Sequence, residues 1–86
     1  GLNTVSADGA VNLIWDPNRE ADLAGYLVLR ALAVEPDLAP ITPSPVQETT
    51  FRDMVPAGTR VTYAVQAVDT AGNISPMSTP VVETAR

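Results

Sequence analysis

Residues 58–75 constrain the fold more than any other stretch of this sequence. Within it, every second position is apolar, at Val61, Tyr63, Val65 and Ala67. Such alternation is the period of a β-strand with one buried face. The β-branched residues of the stretch disfavour a helix because they are stiff at χ1, and the Ala-Gly-Asn run near its end tolerates positive φ. The stretch therefore predicts a core strand followed by a reversal of the chain.

Length and composition indicate one small globular domain. The chain has 86 residues, of which 45% are hydrophobic and 17% are charged. A domain of this size buries only about 60–65% of its unfolded surface, and prolines and glycines spread along the chain indicate short elements joined by turns. We predict that residues 1–86 form a single domain. Because the sequence begins directly in strand-like residues without an initiator Met, we also expect it to be excised from a longer protein.

The ionisable residues exclude several classes of function. The sequence has no Cys, no His and no Lys, and five Arg stand against ten acidic residues for a net charge of −5. Without His, the commonest general base and the commonest metal ligand are missing, and without Cys there is no thiol nucleophile. A net negative charge repels nucleic acid backbones and anionic lipids, and no apolar run approaches the roughly 20 residues of a membrane span. We expect no enzyme activity, no cofactor, no nucleic acid partner and no membrane contact.

The first two strands form a predicted hairpin. Residues 2–7 are a plausible strand, and Asp8-Gly9 is a tight-turn signal that leads into a second strand. In this second strand, Val11, Leu13 and Trp15 share one face. Trp15 is therefore predicted to anchor the core, and the alternative is a ligand-stacking platform.

The third strand and the proline-rich segment that follows it differ in their predicted exposure to solvent. From Gly25 the third strand is apolar on both faces, which indicates a covered outer surface. Residues 36–46 carry four prolines, each of which removes a backbone donor, so this segment is predicted to be a protected edge. The alternative is a proline-rich ligand for a partner domain.

Residues 48–53 form a short predicted strand with Phe51 inward. Residues 75–86 form a last predicted strand, in which either of the two adjacent valines could face the core.

Seven short strands separated by turn signals indicate a β-sandwich. The run Val11-x-Leu-x-Trp15 is followed by Asp22-Leu-Ala-Gly-Tyr-Leu-Val-Leu-Arg30, Thr50-Phe-Arg-Asp53, Pro56-Ala-Gly58 and Ala67-Val-Asp-Thr-Ala-Gly-Asn-Ile-Ser75. As a set, and over nearly the whole chain, these motifs resemble a bacterial fibronectin type III domain.

The resemblance implies an all-β, seven-stranded immunoglobulin-like β-sandwich of fibronectin type III topology. Strands A, B and E would form one sheet and strands C, C′, F and G the other, with Trp15 under their junction. The family usually has a Tyr three residues after the corner Gly, where this chain has Val61. Tyr63 is expected to fill core volume and not to replace the corner hydrogen bond. The adhesion tripeptide Arg-Gly-Asp is absent from the F to G loop.

By family analogy, the chain is expected to be a non-catalytic interaction or spacer module of a larger secreted or surface-anchored bacterial protein, such as a surface protein or lipoprotein. Its location would be extracellular, periplasmic or at the cell surface, and its partners would be neighbouring domains or another protein. The alternative is an accessory carbohydrate-binding module beside a hydrolase. All four aromatic residues fall on predicted inward positions, which favours the spacer.

Two surfaces are candidates for a functional site. Acidic loops carry Asp16, Glu20, Asp22 and Asp69, with Asn73 nearby, and oxygen ligands of this kind suit Ca²⁺. The spacing matches no known calcium loop, so an ordinary solvated surface is the preferred interpretation, with Asp69 and Asn73 stabilising their turn.

The second candidate surface is apolar. Strand parity directs Leu27, Leu29, Ala64 and Val68 away from the core on two neighbouring strands. This outward patch is predicted to dock an adjoining domain or a second copy, and Leu38 or Ile41 could widen it. The alternative is that the proline-rich edge segment folds over the leucines and covers them.

Overall fold

Two antiparallel sheets make up the computed structural model, which describes residues 1–35 and 37–86. The strands are β1 Leu2–Ala7, β2 Ala10–Trp15, β3 Leu23–Leu32, β4 Ala39–Pro40, β5 Thr50–Met54, β6 Arg60–Asp69 and β7 Val81–Thr84. The order is β1-β2-β5 in the three-stranded sheet and β4-β3-β6-β7 in the four-stranded sheet. Both the β-sandwich and its predicted division into sheets are confirmed. In the described residues, no helix is long and apolar enough to cross a membrane.

The β1–β2 hairpin closes through the predicted turn. Asp8 and Gly9 have φ values of 54° and 75°. Positive φ at both central residues gives the two-residue turn whose twist matches that of paired strands. The turn sets the register, with Ala7 opposite Ala10 and Leu2 opposite Trp15.

Trp15 anchors the core as predicted. Its side chain is 6% exposed, and its ring meets that of Tyr26 edge to face with the centroids 5.5 Å apart. Burial of a large apolar side chain contributes about 1.5–3 kcal/mol, and a favourable aromatic pair adds about 0.5–1.5 kcal/mol. Alternate residues of β2, β3 and β6 complete the core, while Phe51 packs against it half-buried.

Gly25 lets the edge segment approach β3 closely. A Cβ at this position would lie 2.7 Å from the backbone oxygen of Val46 and 2.9 Å from Cβ of Pro45. The close approach allows Tyr26 and Val46 to exchange two backbone hydrogen bonds of 2.8 and 2.9 Å. Only glycine fits here, because the edge segment of the same chain lies too close for a Cβ.

The proline-rich segment is an edge, as predicted. Its regular part is only Ala39–Pro40, and beyond it the backbone N–H of Ile41 donates to the carbonyl of Val28 at 2.9 Å. Prolines at positions 40, 43 and 45 offer no N–H to a further strand, which protects the edge. The prediction for Pro36 lies outside the described residues.

The last strand is shorter than the predicted range of 75–86. Ahead of β7, the hydroxyls of Ser75 and Ser78 accept hydrogen bonds from the N–H groups of Ala67 and Val65 at 2.8 and 2.9 Å. Two prolines interrupt the backbone ladder in this segment, and the serine hydroxyls satisfy the β6 edge in its place.

The parity of β7 is now fixed. Val81 pairs with Tyr63, whose side chain faces the core, whereas Val82 pairs with Thr62 on the outer face. Val81 is half-buried, and Val82 is 50% exposed. The inward valine is thus Val81.

Candidate functional site

The outer face of the four-stranded sheet carries the predicted docking residues, but most of them are covered. Leu29, Ala64 and Val68 are 5%, 0% and 9% exposed, and Leu27 is half-buried. None of the four belongs to the core between the sheets, so their predicted outward direction is consistent with the structure. Of the four, only Leu27 offers appreciable surface to a partner.

Irregular chain segments lie next to two of these residues. Pro40 of the edge strand pairs with Leu29 through the backbone, which places the edge segment beside β3. Ile74, in the connection between β6 and β7, forms a bridge with Val68. The sheet's outer face is therefore flanked by irregular segments at both margins. Whether this face also contacts another protein stays a prediction.

Exposed apolar side chains on this part of the molecule come from these irregular segments and from β7. Ile74, Met77 and Val82 are 56%, 49% and 50% exposed. A shallow cavity of about 410 Å³ lies beside Met77 and Leu38. Glu35 and Asp37 also line this cavity, so its apolar wall has acidic neighbours.

The acidic loop end is organised around Asp69. Its Oδ1 accepts hydrogen bonds from the backbone N–H groups of Ala71 and Asn73 at 3.0 and 2.8 Å, and its Oδ2 accepts one from the Asn73 side chain at 2.9 Å. These bonds lower the pKa of Asp69, the side-chain bond from Asn73 contributing most. Asp69 and Asn73 thus stabilise the turn, as predicted. Within residues 1–35 and 37–86, no three His, Cys, Asp or Glu side chains come together in a way that could hold a metal ion.

A polar network that the sequence interpretation missed joins the two sheets. Nη1 of Arg30 donates to both carboxylate oxygens of Asp53, at 2.8 and 3.0 Å, and the Tyr63 hydroxyl donates to Asp53 Oδ2 at 2.7 Å. Arg30 and Tyr63 are opposite each other on β3 and β6, whereas Asp53 lies on β5 of the other sheet. Asp53 is buried and satisfied by both partners.

This network adds to the predicted role of Tyr63. Its ring is fully buried and fills core volume, but its hydroxyl also donates a hydrogen bond across the sheets. Burial raises the pKa of Tyr63, and the hydrogen bond to Asp53 and that carboxylate's negative charge raise it further. Strand parity could have found the network, because Arg30 follows Tyr26 and Val28 on the inward face and Asp53 follows Phe51.

A cleft of about 330 Å³ lies near one end of the sandwich and includes Trp15 and Tyr26 in its wall. Among the described residues, the indole nitrogen of Trp15 has no hydrogen-bond partner, and it is sealed from solvent. The Tyr26 hydroxyl accepts a hydrogen bond from the backbone N–H of Asn18 at 2.6 Å. Both rings are almost wholly buried, so neither presents an open face on which a sugar ring could stack.

Comparison with solved structures identifies the fold. An Fn3-like protein from Clostridium thermocellum is 26% identical to this chain and superposes with a TM-score of 0.78. The match covers 100% of this chain and 88% of that one. The chain is a fibronectin type III-like domain. The family resemblance read from its motifs is thereby confirmed, although no family model and no curated protein matches the sequence.

The fibronectin type III-like fold suggests a non-catalytic module. In this domain the core is filled by aromatic and aliphatic side chains, and the buried Asp53 accepts hydrogen bonds from the half-buried Arg30 and from the Tyr63 hydroxyl. Their arrangement joins the two sheets.

Proposed function

We propose that this fibronectin type III-like domain is a non-catalytic spacer or interaction module of a larger secreted or surface-anchored bacterial protein. The proposed location is extracellular, periplasmic or at the cell surface. Support comes from the fold and from its bacterial structural neighbour. The partners would be neighbouring domains of the same chain or another protein.

The observation that carries the spacer role is the position of the two chain ends. Gly1 contacts Asp16, just after β2, whereas the Arg86 backbone accepts a hydrogen bond from Gly9, at the turn that begins the same strand. The ends therefore lie at opposite poles of the sandwich, which measures 39 × 24 × 21 Å. A polypeptide that enters at one pole and leaves at the other adds the length of the domain to the protein.

The buried aromatic side chains favour a spacer over a carbohydrate-binding module. Trp15, Tyr26 and Tyr63 are 6%, 2% and 0% exposed, whereas a sugar platform needs an accessible ring face. If polysaccharide bound near Trp15, the intrinsic fluorescence of this single Trp would shift on titration. We expect a blue-shifted emission that does not respond to added polysaccharide.

Solution scattering on one, two and three copies joined head to tail tests the spacer role. We expect the maximum dimension to grow by an increment close to the 39 Å length of one domain with each added copy. Copies that fold back on one another would give a maximum dimension that hardly grows, and that result would refute the spacer. A single copy measured at the same mass concentration controls for association.

The interaction role is proposed for the outer face of the four-stranded sheet. Leu27 is the half-buried member of the four outward residues, and the exposed Val82 lies on the same side of β7. Leu27→Arg should weaken contact with a neighbouring domain if this face docks one. Unchanged contacts in the parent protein would exclude the face as a docking surface while leaving the spacer role intact.

A further inference from the structure

The last two residues of the chain bind turns on both sides of the sandwich. The Ala85 N–H donates to the carbonyl of Thr59 at 2.8 Å, and the Ala85 carbonyl accepts from the N–H of Gly58 at 2.7 Å. The Arg86 N–H donates to Oγ of Ser6 at 2.7 Å, and its carbonyl accepts from the N–H of Gly9 at 2.7 Å. We call Ala85 and Arg86 the C-terminal latch.

The latch uses the geometry of a central strand. In an extended chain, successive residues direct their N–H and C=O groups to opposite sides, so two residues can bind two different neighbours. Ala85 binds the turn that connects β5 to β6, and Arg86 binds β1 and the β1–β2 turn. Ala85 is also 2% exposed within the core. The latch therefore joins the end of the four-stranded sheet to the edge of the three-stranded sheet.

A side-chain contact strengthens this connection between the two terminal strands. Oγ1 of Thr4, on β1, donates to Oε1 of Glu83, on β7, at 3.2 Å. The Ser6 hydroxyl accepts from the Arg86 N–H and itself donates to the Ala10 carbonyl at 3.4 Å. Strands β1 and β7 belong to different sheets, so these bonds bridge the sandwich along one open margin.

We infer that the C-terminal latch makes the domain resist tension applied through its two ends. This inference rests on the proposed spacer role, in which force enters at opposite poles. Ladder hydrogen bonds lie perpendicular to the strands, so a pull along the strands loads many of them together. Because Arg86 is bonded to the β1 side, tension at the C-terminal end reaches both sheets before β7 can separate from β6.

Single-molecule unfolding at constant force tests the latch. The chain has no Cys, so cysteines added at its two ends provide unique attachment points. Ser6→Ala removes the acceptor for the Arg86 N–H. Ser78→Ala is the matched control, because Ser78 Oγ likewise accepts one backbone bond, from Val65 at 2.9 Å, outside the latch. We expect Ser6→Ala to unfold about fivefold to tenfold faster than wild type at the same force, and faster than the control.

Further variants give the test its controls. Ser6→Thr keeps the hydroxyl and should restore slow unfolding. When force is applied instead between cysteines placed at Asp16 and Asn73, outside the latch, Ser6→Ala should have the same effect as Ser78→Ala. If Ser6→Ala does not fold, Arg86→Pro removes the N–H that donates to Ser6 Oγ and takes its place.

Equal acceleration by Ser6→Ala and Ser78→Ala under end-to-end force would overturn the latch. The head-to-tail scattering experiment separates this outcome from failure of the spacer role. Extended copies with an unaffected unfolding rate would reject the latch alone, whereas copies that fold back would reject the spacer that it serves.

Discussion

Tyr63 and Asp53 are hydrogen-bonded between opposite sheets at 2.7 Å, with the tyrosine hydroxyl as the donor. The same carboxylate accepts from Arg30, which pairs with Tyr63 across β3 and β6. One carboxylate on β5 is thus held by two neighbouring strands of the other sheet. A buried acid is tolerated at this position because both partners satisfy it.

Removing the tyrosine hydroxyl should weaken the domain. We expect Tyr63→Phe to lower the free energy of unfolding by about 1.5–3 kcal/mol, because a buried hydrogen bond to a charged group is lost. Urea denaturation of both proteins measures the change. Tyr26→Phe is the matched control, since it removes a hydroxyl that accepts a bond from the Asn18 N–H, and should cost only about 0.5–1.5 kcal/mol. Equal losses in the two variants would contradict a special role for the Asp53 bond.

The raised pKa of Tyr63 predicts a loss of stability in alkali. Below the ordinary value of 10.0, Tyr63 is protonated in both the folded and unfolded chains, and its contribution is complete. Above that value, the unfolded chain releases the proton while the folded chain keeps it, so stability falls as the pH rises. Wild type should therefore lose more stability than Tyr63→Phe between pH 9 and about 11. Parallel curves in urea denaturation across this range would contradict the prediction.

The lowered pKa of Asp69 predicts a loss of stability in acid. The folded chain favours the ionised carboxylate, so its contribution is complete above the ordinary value of 3.8 and is lost as the pH falls through the lower folded value. Asp69→Ala should flatten the acid limb of the melting temperature against pH. Asp37→Ala also removes one carboxylate, but outside this turn, and it provides the control. An unchanged acid limb in Asp69→Ala would show that the turn does not depend on this carboxylate.

A methyl group at Gly25 should displace the edge segment. A Cβ there would lie 2.7 Å from the Val46 carbonyl oxygen, so Gly25→Ala must move the backbone, at a cost of about 1–3 kcal/mol. Amide exchange should become faster at Val46 and Tyr26, which share two hydrogen bonds. Gly1→Ala is the control, because nothing lies within 4 Å of its added methyl. Unchanged exchange at Val46 would show that the edge accommodates the methyl group.

The outer face of the four-stranded sheet should behave as a second, smaller packed layer. We expect Leu29→Ala to destabilise the domain by about 2–5 kcal/mol, since Leu29 is only 5% exposed. Leu27→Ala should cost clearly less, because Leu27 is half-buried. Thermal unfolding of the two variants makes the comparison. If Leu29→Ala is as mild as Leu27→Ala, the flanking segments do not pack tightly on this face.

Several features of the candidate site could be predicted from sequence and others could not. Parity gave the outward direction of Leu29 and Ala64 but not their burial, because burial depends on how segments distant in the sequence pack around the sheet. The turn role of Asp69 was predictable, since its partners are within four residues. Parity places Arg30 and Asp53 on inward faces, but only the packing of the two sheets brings their side chains within hydrogen-bonding distance.

The sequence by itself determined the strands, their inward faces and the sandwich, because alternation and turn residues act over a few positions along the chain. Tertiary structure decided what those faces meet. It placed the hydroxyl of the buried Tyr63 within hydrogen-bonding distance of Asp53, and it left Leu29 only 5% exposed. It also joined Arg86 to Ser6 across 80 positions of sequence. Such contacts depend on how distant segments pack, which local patterning does not specify.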